Sequence, residues 1–434
     1  IDEAGNVLIK KEASRSKENC PTVVLQSHLD MVPQKNNDKV HDFLKDPIEP
    51  VISGEWVKAN GTTLGADDGI GVAAMLAILE SKDIEHGPLE LLFTIDEETG
   101  MSGANGLSPK LLTGKKYINL DSEDDGVFAV GCAGGINATG TMIYEQEKCD
   151  SAKCAYKLVV KGLRGGHSGI DINLGRANAV KLMNRLLFSA SGIFDIKISE
   201  FCGGSARNAI PREAFAVVTV PECQRSQFES FVDKTGHIYK SEYISTDPDI
   251  LVETSTVSVP DTVMSAKAQK RIIEAIYACP TGVIRMDQCV ENLVETSTNL
   301  SFADCRNGKA VIKCLLRSSI DSVKNDLENS VFSALELAGF DVTFSGSYPG
   351  WRPDMSSELL DTLKTVYQNM YNKEPEIEAV HAGLECGIIG AHYPDMDMVS
   401  CGPTIQFPHS PDERVNIQSV KRFWDFLVSV LKQI

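Results

Sequence analysis

The stretch Leu89-Glu-Leu-Leu-Phe-Thr-Ile-Asp96-Glu97-Glu98-Thr-Gly100 decides how this chain folds. Leu89 to Ile95 is a largely apolar run of strand length, and three consecutive carboxylates arrive at its C-terminal end. Like charges in a row repel unless they are solvated or held by a cation, and a solvated turn accounts for this one taken alone. The pattern recurs, however. Thr22 to His28 is a β-branched run that closes on His28-Leu29-Asp30, and Tyr117 to Leu120 is a further strand closed by Asp121-Ser-Glu-Asp124. Between the first two strands, Leu64-Gly-Ala-Asp67-Asp68-Gly-Ile-Gly71 leads into Asp68 to Ser81, where small and apolar residues have helical spacing. Such alternation predicts an α/β sheet, and open α/β sheets gather their chemistry at the C-terminal ends of the strands.

Each motif has a plain structural explanation by itself: a surface His beside an Asp, a helix N-cap with an Asp in the first turn, a solvated acidic turn. Independent solvated turns do not require a histidine and several acid sites at corresponding ends of neighbouring strands. Strand periodicity puts Asp30 on the face of His28, where it can accept the second ring N–H. Oxygen ligands with imidazole suit zinc, manganese or cobalt, whereas thiolates suit structural zinc. A further histidine stands in the Pro-flanked loop Gln406-Phe-Pro-His409-Ser-Pro-Asp-Glu-Arg414, just before the last helix.

Composition bounds the rest. The 434 residues carry 42 Lys+Arg against 60 Asp+Glu, a formal charge of -18, with no basic stripe to track phosphates, so no nucleic-acid partner is expected. With 42% hydrophobic and 24% charged residues the chain reads as a soluble enzyme of two or three domains. No membrane span is expected, since even the apolar run from Gly69 to Leu79 ends at Glu80. The opening Ile1-Asp2-Glu3 has no signal-peptide character and reads as a chain lacking an N-terminal piece. Twelve cysteines without a Cys-x-x-Cys pair, several in apolar runs such as Cys279 and Cys314, read as free thiols of a cytoplasmic protein.

The character of the chain changes near Gly131 to Gly140, where longer strands begin. Tyr156 to Lys161, Ala214 to Val220 and Lys309 to Leu316 read as strands, and Arg176 to Ala190, Ser265 to Tyr277 and Ser322 to Ala338 as helices. Ser345-Gly-Ser-Tyr-Pro-Gly-Trp351 reads as a turn-rich hinge, followed by helices over Ser357 to Tyr371 and Val420 to Lys432. The expected architecture is a catalytic α/β domain from residues 1–134 and 348–434, interrupted by an inserted α+β domain over 135–347. No internal repeat is visible.

The ordered set His28-x-Asp30, Gly65-Ala-Asp67-Asp68-Gly69, Asp96-Glu97-Glu98-Thr-Gly100, Asp121 and His409 resembles the co-catalytic zinc peptidases that include aminoacylase, tripeptidase T and succinyl-diaminopimelate desuccinylase. The resemblance runs over essentially the whole chain and is nearest to the dipeptidases of that family. It implies two divalent metal ions, zinc with manganese or cobalt as alternatives. One would be held by His28 and Asp121 and the other by Glu98 and His409, with Asp67 bridging through a cis Asp67–Asp68 peptide. It further implies Glu97 as general base and Asp30 as the group orienting His28. In the inserted domain, Arg164-Gly-Gly-His167-Ser-Gly-Ile-Asp171 resembles the lid histidine that stabilises the oxyanion on lid closure or across a dimer. Ser205-Ala-Arg207-Asn208-Ala-Ile-Pro211 and Leu315-Leu-Arg317-Ser-Ser319 resemble positions that hold the substrate carboxylate. His381-Ala-Gly383-Leu-Glu385 resembles the substrate-amine side, although His381 itself reads as structural, and Trp351 and Trp424 as packing. The implied activity is hydrolysis of Xaa-His and other dipeptides by a homodimer joined through its lids. An N-acyl-amino-acid amidohydrolase or tripeptide exopeptidase is the alternative on the same scaffold, and a non-catalytic metal-binding interaction protein the alternative of another class.

Overall fold

In the computed structural model, residues 1–150, 153–288, 290 and 292–434 are described. The chain divides into two compact units, Ile1–Cys132 with Trp351–Ile434, and Ala133–Gly350. The fold is thus a mixed α/β unit interrupted by a β-rich one. Cys132 and Trp351, where the chain leaves and re-enters the first unit, exchange two main-chain hydrogen bonds of 2.9 Å.

The first unit is built on a seven-stranded sheet in the order Val7–Lys11, Leu89–Thr94, Val23–His28, Lys116–Asn119, Asp397–Ser400, Val127–Cys132, Glu376–Val380. Val23–His28 runs parallel to both neighbours, Leu89–Thr94 on one side and Lys116–Asn119 on the other. All six residues of Val23–His28 and of Leu89–Thr94 are buried, as expected of parallel strands covered on both faces. Helices Glu358–Tyr371 and Ile417–Gln433 pack together over the sheet, with Tyr367 and Phe426 against Phe128. A separate four-stranded sheet, Ile405–Gln406, Arg414–Asn416, Trp56–Ala59 and Pro50–Ser53, presents the loop that carries His409.

The second unit holds a nine-stranded antiparallel sheet, and its strand order reveals a duplication that is invisible in the sequence. Lys153–Lys161, helix Ala179–Ser191, Lys197–Gly203, Ala214–Pro221, helix Arg225–Glu242 and Leu251–Val257 form a βαββαβ half in the order fourth, first, third, second. Gly134–Ile143, helix Ala266–Ala278, Val294–Arg306, Lys309–Ser318, helix Asp321–Leu337 and Asp341–Tyr348 repeat that order in mirror sequence. The halves join where Lys197–Gly203 pairs with Val294–Arg306. Two local expectations are corrected. Ser345 to Tyr348 is not hinge but the end of strand Asp341–Tyr348, because the sheet supplies a partner in Gly134–Ile143 and a register shift between Ser345 and Tyr348 absorbs Gly346 at φ +61°. The helix expected from Arg176 begins at Ala179, where the Asn178 side chain caps the Lys181 N–H.

Among the described residues no helix is long and apolar enough to cross a membrane, and eleven cysteines are free thiols.

Candidate metal centre

Three neighbouring parallel strands and two loops bring the site together in the first unit. His28 ends the middle strand, Glu97 and Glu98 follow the strand on one side, and Asp121 follows the strand on the other. Asp67 sits at the head of helix Ala66–Glu80, before the backbone becomes regular: Asp67 and Asp68 have non-helical torsions and are joined by a cis peptide. Gly65, at φ +71°, makes the turn into that helix.

The Asp67 carboxylate lies between two imidazoles. Its Oδ1 is 3.1 Å from His28 Nε2 and its Oδ2 is 3.2 Å from His409 Nε2. Asp121 Oδ1 is 3.4 Å from His28 Nε2, and Glu98 Oε2 is 2.9 Å from His409 Nε2. Donor atoms of Asp67, Glu98 and His409, of His28, Asp68 and Asp121, and of His28, Glu97 and Glu98 form three groups, each within 4.8 Å. Two observations fit this set to divalent cations. The His28 Nδ1 is 2.9 Å from the Asp30 main-chain carbonyl, which leaves Nε2 as the ligand nitrogen. Glu98 Oε1 is buried with no hydrogen-bond partner. Imidazole nitrogens and carboxylates without thiolates are the donors of catalytic rather than structural zinc sites.

The electrostatics describe a pocket in which carboxylates outnumber the two imidazoles. Burial, followed by the crowding of Glu98, Asp67 and Asp30, pushes the Glu97 carboxyl up to about 7 despite the opposing field of His28. Burial likewise raises Asp68 to about 7 and Asp121 well above the usual range. Hydrogen bonds to the Asp67 and Glu98 carboxylates hold the His409 imidazole up at about 10. Burial alone would depress His28, yet Asp121, Asp30 and Asp67 outweigh it and raise its pKa.

Asp30 differs from the strand-face expectation. Its carboxylate is 3.6 Å from His28 Nδ1, and instead accepts the main-chain N–H groups of Glu97 at 3.1 Å and Glu98 at 3.2 Å. The strand ends at His28, so the pleat no longer sets the direction of Asp30. Burial opposes ionisation of Asp30, but His28 and these N–H donors hold it down to about 2.

Glu385 opens helix Glu385–His392, after a loop that contains Gly383, and is fully buried. Its Oε2 accepts from Gln26 Nε2 at 2.7 Å and Thr94 Oγ1 at 2.6 Å, whereas Oε1 has no partner, and burial pushes it up to about 8. His381 is buried and Trp351 is part of the core. Three participants escaped the sequence reading. Asp68, adjacent to Asp67 in the quoted motif, is buried and accepts hydrogen bonds from the Ser27 hydroxyl and the Gly71 N–H. Gln26 occupies an apparently apolar strand. Glu413, four residues after His409, is buried and accepts main-chain N–H groups of the loop bearing Asp67.

In the second unit, His167 lies in the two-residue strand Gly166–His167, paired with Ala209–Ile210 and so beside the exposed Asn208. Its Nδ1 accepts from the N–H groups of Gly169 and Ile170, both at 3.2 Å, so the neutral ring carries its proton on Nε2. Burial and then the Arg317 guanidinium lower the His167 pKa and keep it neutral. Arg317 comes from the other βαββαβ half, is buried, donates to Tyr348 Oη at 3.0 Å and has an unpartnered Nε. Asp247, fully buried, accepts from Arg164 N–H at 2.8 Å and Ala177 N–H at 2.9 Å and so ties both ends of the His167 loop.

The sequence matches the profile of Peptidase family M20/M25/M40 over residues 24–433. It is 46% identical over 433 residues to the cytosol non-specific dipeptidase of Escherichia coli (strain K12), covering 100% of this chain and 89% of the relative. A crystal structure of aminoacylhistidine dipeptidase from Vibrio alginolyticus superposes with a TM-score of 0.95 at 47% identity, covering 100% of this chain and 89% of that one. Aminopeptidase PepT from Bacillus cereus ATCC 10987, at a TM-score of 0.54 and 16% identity over 99% of this chain and 84% of its own, shares the fold.

Proposed function

The chain belongs to peptidase family M20/M25/M40, and from that premise we propose that it hydrolyses dipeptides, Xaa-His among them, releasing the N-terminal amino acid at a dinuclear metal centre. The observation that carries this reading is the Asp67 carboxylate with one oxygen turned to each of two histidines. His28 and Asp121 would hold one cation and Glu98 and His409 the other, with Asp67 shared; zinc is the metal proposed, manganese or cobalt its substitutes. The cations would supply Lewis-acid polarisation of the scissile carbonyl and acidify the attacking water.

The remaining roles fall to side chains. Glu97 takes the proton of the attacking water and passes it to the leaving amine, a role supported by its place in one group of donor atoms with His28 and Glu98. Asp30 orients His28 through its carbonyl and the Glu97–Glu98 backbone through its carboxylate. For Glu385 and the neighbouring Gly383 the role is capture of the free α-ammonium, supported by the unpartnered Glu385 Oε1. For His167 it is donation from Nε2–H to the developing oxyanion, and for Arg317 and Asn208 recognition of the substrate carboxylate. Dimerisation through the second unit is also part of the proposal, checked by light scattering. A cytosolic setting is supported by the description of the E. coli relative and by the free thiols.

The deciding experiment strips the protein with chelator, restores Zn, Mn or Co singly, and assays a panel of dipeptides, tripeptides and N-acetyl amino acids. Metal-dependent cleavage of dipeptides in preference to the other two classes is expected. Preference for N-acetyl amino acids or tripeptides would replace the dipeptidase reading, and no metal-dependent cleavage of any class would remove it.

A further inference from the structure

The loop that delivers His409 carries a second group. Glu413 is 2% exposed, and main-chain N–H groups of the loop bearing Asp67 fill both its oxygens. Oε2 accepts from Leu64 at 2.6 Å and Gly65 at 3.0 Å, and Oε1 from Ala66 at 2.7 Å and Asp67 at 3.3 Å. These donors open helix Ala66–Glu80, whose cap residue Gly65 has no side chain with which to satisfy them. A carboxylate from elsewhere in the chain therefore does the work of the cap, and its charge is favoured at the positive end of the helix. On another side Ala66 and Leu64 pack with Ile405 and Val415 of the His409 hairpin, beside an apolar cavity of about 340 Å³ lined by Val57, Leu64, Ala66 and Val415 among others.

The loop that supplies Glu413 is itself fastened. It joins strands Ile405–Gln406 and Arg414–Asn416, which pair antiparallel. Arg414 donates to Gln406 Oε1 at 2.9 and 2.6 Å and lies 4.3 Å from the centre of the Trp56 ring. One short hairpin thus sets an imidazole against one oxygen of Asp67 and a clamp on the backbone leading to Asp67.

We propose that Glu413 is a positioning residue of the metal centre, holding the backbone of residues 64–67 in register with His409 so that the Asp67 carboxylate stays shared between His28 and His409. The proposal rests on the dinuclear reading above. Glu413 is not offered as a ligand, because both its oxygens already accept hydrogen bonds. Its action is on the aim of another side chain, and it belongs to the class of outer contacts whose loss weakens a metal site by about 10- to 100-fold.

Glu413→Gln tests it most sharply, because the size is kept while the charge is lost and an NH₂ group is set against N–H donors. Glu413→Asp keeps the charge but draws the oxygens back. Co²⁺ alone is titrated into the metal-free parent and variants, with bound metal and the visible absorption spectrum recorded beside circular dichroism and thermal unfolding. The parent is expected to bind two Co²⁺ per chain. Glu413→Gln should bind them at least about tenfold more weakly, with altered visible bands. At saturating Co²⁺ its kcat should fall while the dipeptide KM stays within about twofold. Glu413→Asp should lie between.

A folded Glu413→Gln protein with the parent's Co²⁺ affinity and spectrum overturns the proposal, even if its unfolding temperature is lower. Should Glu413→Gln fail to fold, the same readouts on Glu413→Asp decide in the same way. Fewer than two Co²⁺ on the parent overturns the dinuclear reading and this proposal with it, an outcome distinct from loss of the Glu413 effect alone.

Discussion

Glu97 and Glu98 are neighbours in the chain with different surroundings. Glu98 meets His409 at 2.9 Å, whereas Glu97 lies in the group with His28 and Glu98 and is raised to about 7. Glu97→Gln should therefore retain both metals and lower kcat by about two orders of magnitude or more. Metal analysis beside steady-state kinetics checks this, and an active Glu97→Gln enzyme would move the base elsewhere. A second expectation concerns protons. His409 is raised to about 10 and His28 is raised too, so both imidazoles are protonated in the metal-free protein at neutral pH and must lose a proton to bind metal. Metal affinity should then fall as pH is lowered from 8 to 6, with release of at least about one proton per chain. Calorimetry in buffers of different ionisation enthalpy measures that release, and a pH-independent affinity without proton release would contradict it.

At the scale of elements, the active groups ride on strand ends and loops that carboxylates hold by their N–H groups. Asp30 grips residues 97 and 98, Glu413 grips residues 64 to 67, and Asp247 grips both ends of the His167 loop. Each such loop lacks a regular hydrogen-bond ladder, so its buried donors need an acceptor from elsewhere. Asp247→Ala leaves two of them without a partner and should destabilise the protein by about 2 to 4 kcal/mol. Denaturant unfolding measures the loss, and amide exchange should accelerate over residues 164–177 ahead of the sheet. Unchanged exchange there would show that the loop is held by other contacts, such as the Asp171 carboxylate on the His167 N–H at 2.8 Å. The strand and helix positions were largely readable from apolar periodicity, while Ser345 to Tyr348 was not, because a Gly-Ser-rich segment becomes strand only when a neighbour pairs with it.

For the whole molecule, a chain of net charge -18 brings Asp30, Asp67, Asp68, Glu97, Glu98 and Asp121 together at one centre, and cations bound there only in the folded state would add to its stability. With free metal about 1,000-fold above its Kd the gain is about 4 kcal/mol, so chelation should lower the unfolding temperature and Zn should restore it. Scanning calorimetry with and without chelator checks this, and identical transitions would count against resident metal. The acid clusters, the histidines and the strand ends that present them were determined by the sequence alone, since each is a local pattern of a few residues. So was the family, because the motifs keep their order and spacing. Only the tertiary structure decided that Asp30 serves a backbone before a ring, and that Glu413 caps the head of a helix through N–H groups 346 to 349 residues away in sequence. It alone exposed the doubled βαββαβ unit and the two main-chain N–H donors on His167 Nδ1. The physical reason is common to all of these: a hydrogen-bond partner is chosen by distance in space, and strand order can persist when side chains no longer repeat.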